Sequence, residues 1–405
     1  MKKLSFLILI GLASQGYSQC DSNAIFSNTT TNAVCFTTDG AVRTVYSNSL
    51  PDHSTGTFPN PGNPNAISAQ QLTKSMCAFP TMATSKTFLD EGTTGGCAFW
   101  EFGIATNGLI FDPIAAEFFE NPNTGQLNTD WNLNALSSNV NLGLDFNDAH
   151  VQPNGKYHYH GFPSTLGTDF GATAGSHSPL IGYAADGYPI YYKYVYDDPN
   201  DANSAIVEIT SQYQLKSGTR PGDGITAPDG NYDGTYTQDY EFVSGTANSL
   251  DECNGRFGVT PEYPNGIYYY VLTEDFPVIP RCLSGNPDMI FTIGPPFAGC
   301  GVSNSSSICM TTSINEHISN DEATEIANSI SISPNPSSGV IRFKMNQFVA
   351  SRVEEIKIFN ILGQEVLSTS FAEAKEIDIS RLAVGNYFLK LKLGNISISK
   401  KFIKN

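Results

Sequence analysis

Between Cys20 and about Met310 the chain never runs far before a turn cluster interrupts it. Short aromatic or β-branched runs, such as Tyr188–Tyr196 and Gly266–Leu272, alternate with stretches like "PNPGNPN" and "TRPGDGITAPDGNYDG". Gly, Asn, Asp and Pro supply the turn conformations that end strands, and β-branched and aromatic residues suit a pleated, half-buried surface. Long helices are thereby excluded, and a mainly β chain with an irregular β-rich domain is expected. Only "PIAAEFFE" (113–120) and "TDWNLNALSS" (129–138) read as short helices. From Ser329 the texture changes to short alternating runs such as "EEIKIFNILGQEVL" and "ISISKKFIK", broken by Gly and Asn at hairpin spacing. That pattern predicts a small antiparallel β-sandwich over 329–405. The polar segment 311–328, without aromatics, reads as a linker with a helical turn or two.

The first residues place the chain outside the cytoplasm. Met1-Lys2-Lys3, an apolar run from Leu4 to Leu12 and a small-residue end at Gly16-Tyr17-Ser18 form a secretory signal peptide over 1–18. The run is too short for a membrane span, which needs about 20 apolar residues, and no later stretch is longer. Eight cysteines follow, Cys20, Cys35, Cys77, Cys97, Cys253, Cys282, Cys300 and Cys309, with no C-x-x-C pair. An even count in an oxidising compartment reads as disulfides stabilising the central domain. Pairing of neighbours (20–35, 77–97, 253–282, 300–309) is the simplest of about 105 connectivities. The whole chain carries a formal charge of −17, and almost all the acid lies in the body, since 327–405 holds 11 Lys and Arg against 6 Asp and Glu. So acidic a body repels nucleic acid and anionic headgroups and favours solubility.

The six histidines are the scarce residue. "PNGKYHYHGFP" (153–163) places two of them on alternate positions after an Asn-Gly turn. On a strand Tyr157 and Tyr159 face one way and His158 and His160 the other, about 6.5 Å apart. Two imidazoles at that separation reach one ion at about 2 Å. His150 can fold back over the turn at Asn154-Gly155 as a third ligand, and His177 can arrive from another strand. Asp145, Asp148 and Asp186 are further ligands or orienting carboxylates. Imidazoles without thiolate suit copper or zinc. "LDFNDAHVQPNGKYHYHG" (144–161) is echoed by "LDECNGRFGVTPEYPNGIYYYVLT" (250–273). There Tyr268 and Tyr270 repeat Tyr157 and Tyr159, while Tyr269 and Val271 replace His158 and His160. The tyrosines thus belong to a scaffold, and the histidines mark one copy.

Calcium has a weaker candidate in "DGNYDGTYTQD", where Asp229, Asn231, Asp233 and Gly234 match half of an EF-hand loop and Tyr240 takes the place of its closing Glu. Acid pairs such as Asp251 and Glu252, or Glu262 and Asp275, arise readily by chance in an acidic body. No G-x-S-x-G, H-E-x-x-H, Walker or dinucleotide pattern occurs.

Two resemblances complete the reading. Pro334-Asn335-Pro336 with Gly339, "IKIFNILGQEV", Gly385-Asn386-Tyr387-Phe388 and the basic end Lys400-Lys401-Phe402-Ile403-Lys404 resemble the C-terminal sorting domain of type IX secretion in Bacteroidetes. That likeness implies the type IX machinery as partner and export across the outer membrane, followed by attachment at its surface or release. "LDFNDAHVQPNGKYHYHGFP", "HSPLIGYAADGYPIYY", "DGTYTQDYEFVSG" and "LDECNGRFGVTPEYPNGIYYYVLTEDFPVIPRC", over about 75–300, resemble the YHYH-domain family, which implies no particular reaction. The expected order is signal peptide 1–18, β-rich domain 19–310, linker 311–328 and sorting sandwich 329–405. Three functions fit: a metal-dependent enzyme with an open coordination position, a metal-capture protein with a closed one, or an adhesive module with an exposed aromatic trough.

Overall fold

Turn clusters cut the body into strands of two to seven residues. A computed structural model describes residues 20–39, 41–89, 99–246, 248–293, 330–344, 353–370, 376–393 and 396–405. The stretches expected as signal peptide (1–18) and linker (311–328), with Cys97, Cys300 and Cys309, lie outside the described residues. Helix α1 (Ser22–Ser27), N-capped by the Asp21 carboxylate, precedes an antiparallel sheet of β1 (Val34–Asp39), β2 (Val42–Ser47) and β3 (Leu72–Cys77). Next come β4 (Met82–Phe88), β5 (Phe99–Trp100), β6 (Gly103–Ala105), β7 (Ile110–Phe111), β8 (Phe118–Glu120) and β9 (Leu127–Asn132). β10 (Ala149–Val151), β11 (Tyr157–Tyr159), α2 (Ser164–Asp169), β12 (Leu180–Ala184) and β13 (Pro189–Tyr192) follow. After the hairpins β14–β15 (Tyr194–Tyr196, Ile206–Glu208) and β16–β17 (Tyr213–Leu215, Tyr240–Phe242) come β18 (Gly255–Gly258), β19 (Ile267–Leu272), β20 (Cys282–Gly285) and β21 (Thr292–Ile293).

Eight of these strands form one sheet in the order β10-β11-β7-β6-β12-β13-β19-β18. Its halves share one connectivity. In each, a hairpin (β6–β7, β12–β13) is joined by a parallel pairing (β7–β11, β13–β19) to a second hairpin (β10–β11, β18–β19). At the centre β6 and β12 pair antiparallel, Gly103 with Ala184 and Ala105 with Gly182, so equivalent residues exchange partners about a local two-fold. The sequence carries this as Gly103-Ile-Ala-Thr-Asn-Gly108 against Gly182-Tyr-Ala-Ala-Asp-Gly187. Gly108 and Gly187 hold φ of +83° and +91°, and a Cβ there would collide with Ser47 and with the Cys77 carbonyl.

Tyr157, Tyr159, Tyr268 and Tyr270 enter one core with Phe102, Ile104 and Phe111, so the tyrosine echo is a packed frame. Tyr191, Tyr269 and Val271 form a smaller cluster with Val195 and Leu250. Cys20–Cys35 ties α1 to β1, and Cys253–Cys282 ties the turn before β18 to β20. Cys77 is disulfide-bonded too, to a residue outside the described ones. The two helices expected at 113–120 and 129–138 do not form. Phe118 and Phe119 instead pair with Asn132 and Asn128 as the hairpin β8–β9, because cross-strand pairing outweighs a weak local helical preference.

In the C-terminal region β22 (Ser331–Ser333), β23 (Val340–Lys344) and β26 (Glu376–Asp378) form one sheet. β24 (Val353–Asn360), β25 (Glu365–Ser370), β27 (Gly385–Leu393) and β28 (Ile396–Lys404) form the other. Alternation along β27 buries Tyr387, Leu389 and Leu391 and exposes Phe388, Lys390 and Lys392. These side chains meet Ile341, Ile356, Ile358 and Phe402 in one core, giving the expected sandwich.

Candidate metal centre

The hairpin β10–β11 turns at Pro153-Asn154-Gly155. Gly155, at φ +88°, donates its N–H to Gln152 O at 2.8 Å, and Gln152 N donates to Lys156 O at 2.9 Å. The register sets His150 opposite His158, and His160 N donates to Asp148 O at 2.7 Å. Strand alternation sends Tyr157 and Tyr159 into the core and leaves the imidazoles to meet one another. His158 Nε2 lies 3.0 Å from His160 Nε2, which lies 3.0 Å from His150 Nε2, and the three ligand atoms fall within 4.8 Å of one another. His158 and His160 are 1% and 2% exposed, and His150 is half-buried.

His150 Nδ1 lies 2.9 Å from Leu142 O and His158 Nδ1 lies 3.3 Å from Lys156 O. A carbonyl only accepts, so both rings carry their proton on Nδ1 and turn a bare Nε2 lone pair inward. His160 Nε2 faces both. One N–H there cannot point at two acceptors, and with its proton on Nδ1 it offers none. His160 Nδ1 has no hydrogen-bond partner of ordinary geometry, although the Pro113 carbonyl nearby favours a proton on that ring. Either tautomer leaves at least one buried lone pair without a donor, which costs free energy unless a cation takes it. Protonation is no remedy. Burial, the neighbouring imidazoles and, for His158, the Lys156 ammonium hold the His158 and His160 pKa values well below the usual range. Burial lowers that of His150 as well. Three imidazoles bound tetrahedrally at about 2.0–2.1 Å stand about 3.3 Å apart, and here two pairs stand at 3.0 Å with all three atoms within 4.8 Å.

The other sequence candidates lie elsewhere. His177 packs against Tyr191 and Tyr196, with ring centroids 5.0 and 4.8 Å away, and its Nδ1 lies 2.8 Å from Ser178 O. Tyr191 is on β13, four strands from β11, or about 19 Å across the sheet. Asp145 accepts from Tyr157 Oη at 2.8 Å and from Gly56 N at 2.9 Å. Asp186 accepts from Tyr270 Oη at 2.5 Å and from Gly285 N at 2.8 Å. Asp148 sits in the tight turn before β10 at φ +50°, and burial pushes its carboxyl up to about 6. The groups that orient the triad are therefore the carbonyls of Leu142 and Lys156, in the place a carboxylate often takes. In the loop proposed for calcium, the Arg220 guanidinium stands where the ion would. It donates to both oxygens of Asp239 at 2.8 and 2.7 Å, to Asp233, and to the Asp229 carbonyl at 2.9 Å. Asn231 pairs with Thr219 in an isolated backbone bridge.

Sequence reasoning missed His53 and Asn107. His53 Nε2 lies 2.6 Å from Tyr159 Oη, to which Asn107 Nδ2 donates at 3.0 Å. Asn107 takes the place in the first half that Asp186 takes in the second, where Tyr270 is its partner. The repeated Gly-x-Ala-x-Asn/Asp-Gly hairpin was the available signal. In the second half His150 and His158 are replaced by the cross-strand pair Arg256 and Tyr269, joined by an Nε–Oη hydrogen bond of 2.7 Å.

The model of the family described as YHYH protein matches residues 74–285, just over half of the chain. That of the secretion system C-terminal sorting domain matches 331–405. No curated protein matches the chain. Among the described residues no helix is long and apolar enough to cross a membrane. The sorting domain sends the protein through type IX secretion to the cell surface. Both hairpins, the four tyrosines and the histidine triad fall within 74–285, and the chain belongs to the YHYH protein family.

Proposed function

We propose that this secreted YHYH protein binds a transition metal, zinc or copper, through Nε2 of His150, His158 and His160. One observation carries the reading: three imidazole nitrogens converge inside the protein, and no arrangement of their own protons satisfies them. Imidazole-only ligation suits zinc and copper better than calcium or magnesium, which take oxygen. His158 and His160 are sealed in, whereas half-buried His150 forms the side from which a fourth ligand enters. That asymmetry supports a centre with one exchangeable position over a closed structural site. Bound zinc would supply water activation there, and bound copper would supply redox chemistry. His150 and His158, each fixed by its Nδ1 donor bond, hold the lone pairs in place.

The adhesive reading draws no support from the tyrosines: among the described residues none is exposed, and Tyr157, Tyr159, Tyr268 and Tyr270 form a buried frame. The sorting domain delivers the body to the outer face of the outer membrane, where we place the metal-binding activity. The test is metal analysis of the secreted chain, purified untagged, beside a His158→Ala/His160→Ala variant. One equivalent of zinc or copper in the parent and none in the variant is expected. No metal in either after titration with both ions at neutral pH overturns the proposal.

A further inference from the structure

The two edges of the eight-stranded sheet are built alike and finished differently. Beside β10, Asn63 and Asn65 each donate Nδ2 to Val151 O, at 2.9 and 2.8 Å, and Ser68 N donates to Gly155 O at 3.0 Å. Val151 is buried beneath this cover. At the other edge the equivalent residue is Phe257, opposite Tyr268 as Val151 is opposite Tyr157. It is 60% exposed, the most exposed large apolar side chain of the described body.

A pocket of about 620 Å³ opens beside Phe257, within the range of about 300–1,000 Å³ usual for small-ligand sites. Met82, Phe242 and Tyr268 continue its apolar side, and Asn200, Ser244 and Asn248 bring neutral polar groups. The charged groups around it are engaged within the protein. Lys86 pairs with Glu252 at 2.9 Å. Asp251 accepts from Tyr268 Oη at 3.0 Å and from the N–H groups of Cys253 and Gly255. Arg256 donates to Tyr269 Oη, Asn248 O and Tyr196 O. The two bases and two acids sum to zero and each is already hydrogen-bonded within the protein, so the pocket offers a charged ligand no net attraction. An exposed aromatic face rimmed by neutral donors and acceptors matches a ligand with C–H groups on one side and hydroxyls around it. A peptide strand added along β18 fits less well, because Val259 N already donates to Pro199 O at 2.7 Å at the end of that edge.

We propose that this pocket binds a neutral glycan, one sugar ring stacked on Phe257 and its hydroxyls bonded to Asn200, Ser244 and Asn248. The site lies at the sheet edge opposite the histidine triad, so the proposal stands apart from metal binding. The test uses the full secreted chain against neutral hexasaccharides of the cellulose, xylan, laminarin, mannan and starch types, by calorimetry and affinity electrophoresis. At least one should bind. Phe257→Ala should weaken it about tenfold, Asn248→Ala should weaken it too, and Phe257→Tyr should retain it. Thermal melting and metal content unchanged in Phe257→Ala would show that the variant is folded. Failure of all five sugars, or binding unaltered by Phe257→Ala, overturns the proposal. Capture of an unfolded polypeptide that depends on Phe257, with no sugar bound, overturns it in favour of strand addition.

Discussion

His160 is the residue on which the site turns, because its Nε2 is shared by two inward lone pairs. The folded chain holds the three imidazoles neutral to lower pH than the unfolded chain, where they titrate near 6.5. The unfolded state therefore binds more protons below that value, and metal-free stability falls as pH drops through about 6.5. Thermal melts between pH 7.5 and 5 should show the decline, and a His150→Ala/His158→Ala/His160→Ala variant should flatten it. Asp112 behaves oppositely. Burial and then the Glu101 carboxylate push its carboxyl up to about 7, and its Oδ1 has no partner. A raised carboxyl pKa in the folded state costs stability as pH rises from the ordinary carboxylate range to 7, and the full cost persists above. Asp112→Asn should then gain roughly 1–3 kcal/mol at pH 8 and little at pH 4, measured by denaturant unfolding.

Elements show which parts of the site were legible. The hairpin around His158 could be read because an Asn-Gly turn and two-residue alternation are local signals, and the turn spacing brought His150 forward as a candidate beside His177. The calcium-like loop misled because its cation, Arg220, lies nine residues before Asp229, outside the motif. Its carboxylates collapse on a guanidinium, so Arg220→Met should leave Asp239 buried and uncompensated and cost about 3–5 kcal/mol. The loss would appear in the urea midpoint without any response to added calcium. The segment 113–120 looked helical because its pairing partner in β9 is invisible to local pattern. Gly108→Ala and Gly187→Ala should each destabilise by a kilocalorie or more, since both meet backbone strain and a steric collision. Equal penalties in urea unfolding would show that the two half-sheets use the same turn for the same purpose.

Over the whole molecule, the sorting domain and the histidine triad occupy separate stretches of chain. Deleting 331–405 should keep the protein from the cell surface, checked by fractionation and surface protease treatment, while the retained body keeps its metal stoichiometry. The β class, the exported location, the C-terminal sandwich and the tyrosine frame follow from the sequence, because each rests on periodicity, turn chemistry or motifs contiguous in the chain. That His177 stays apart from the triad, that Arg220 fills the acidic loop and that His53 reaches Tyr159 across 106 positions emerges only in the folded chain. Those outcomes depend on strand order and sheet register, which join residues distant in sequence through packing and backbone pairing, and no local pattern encodes them.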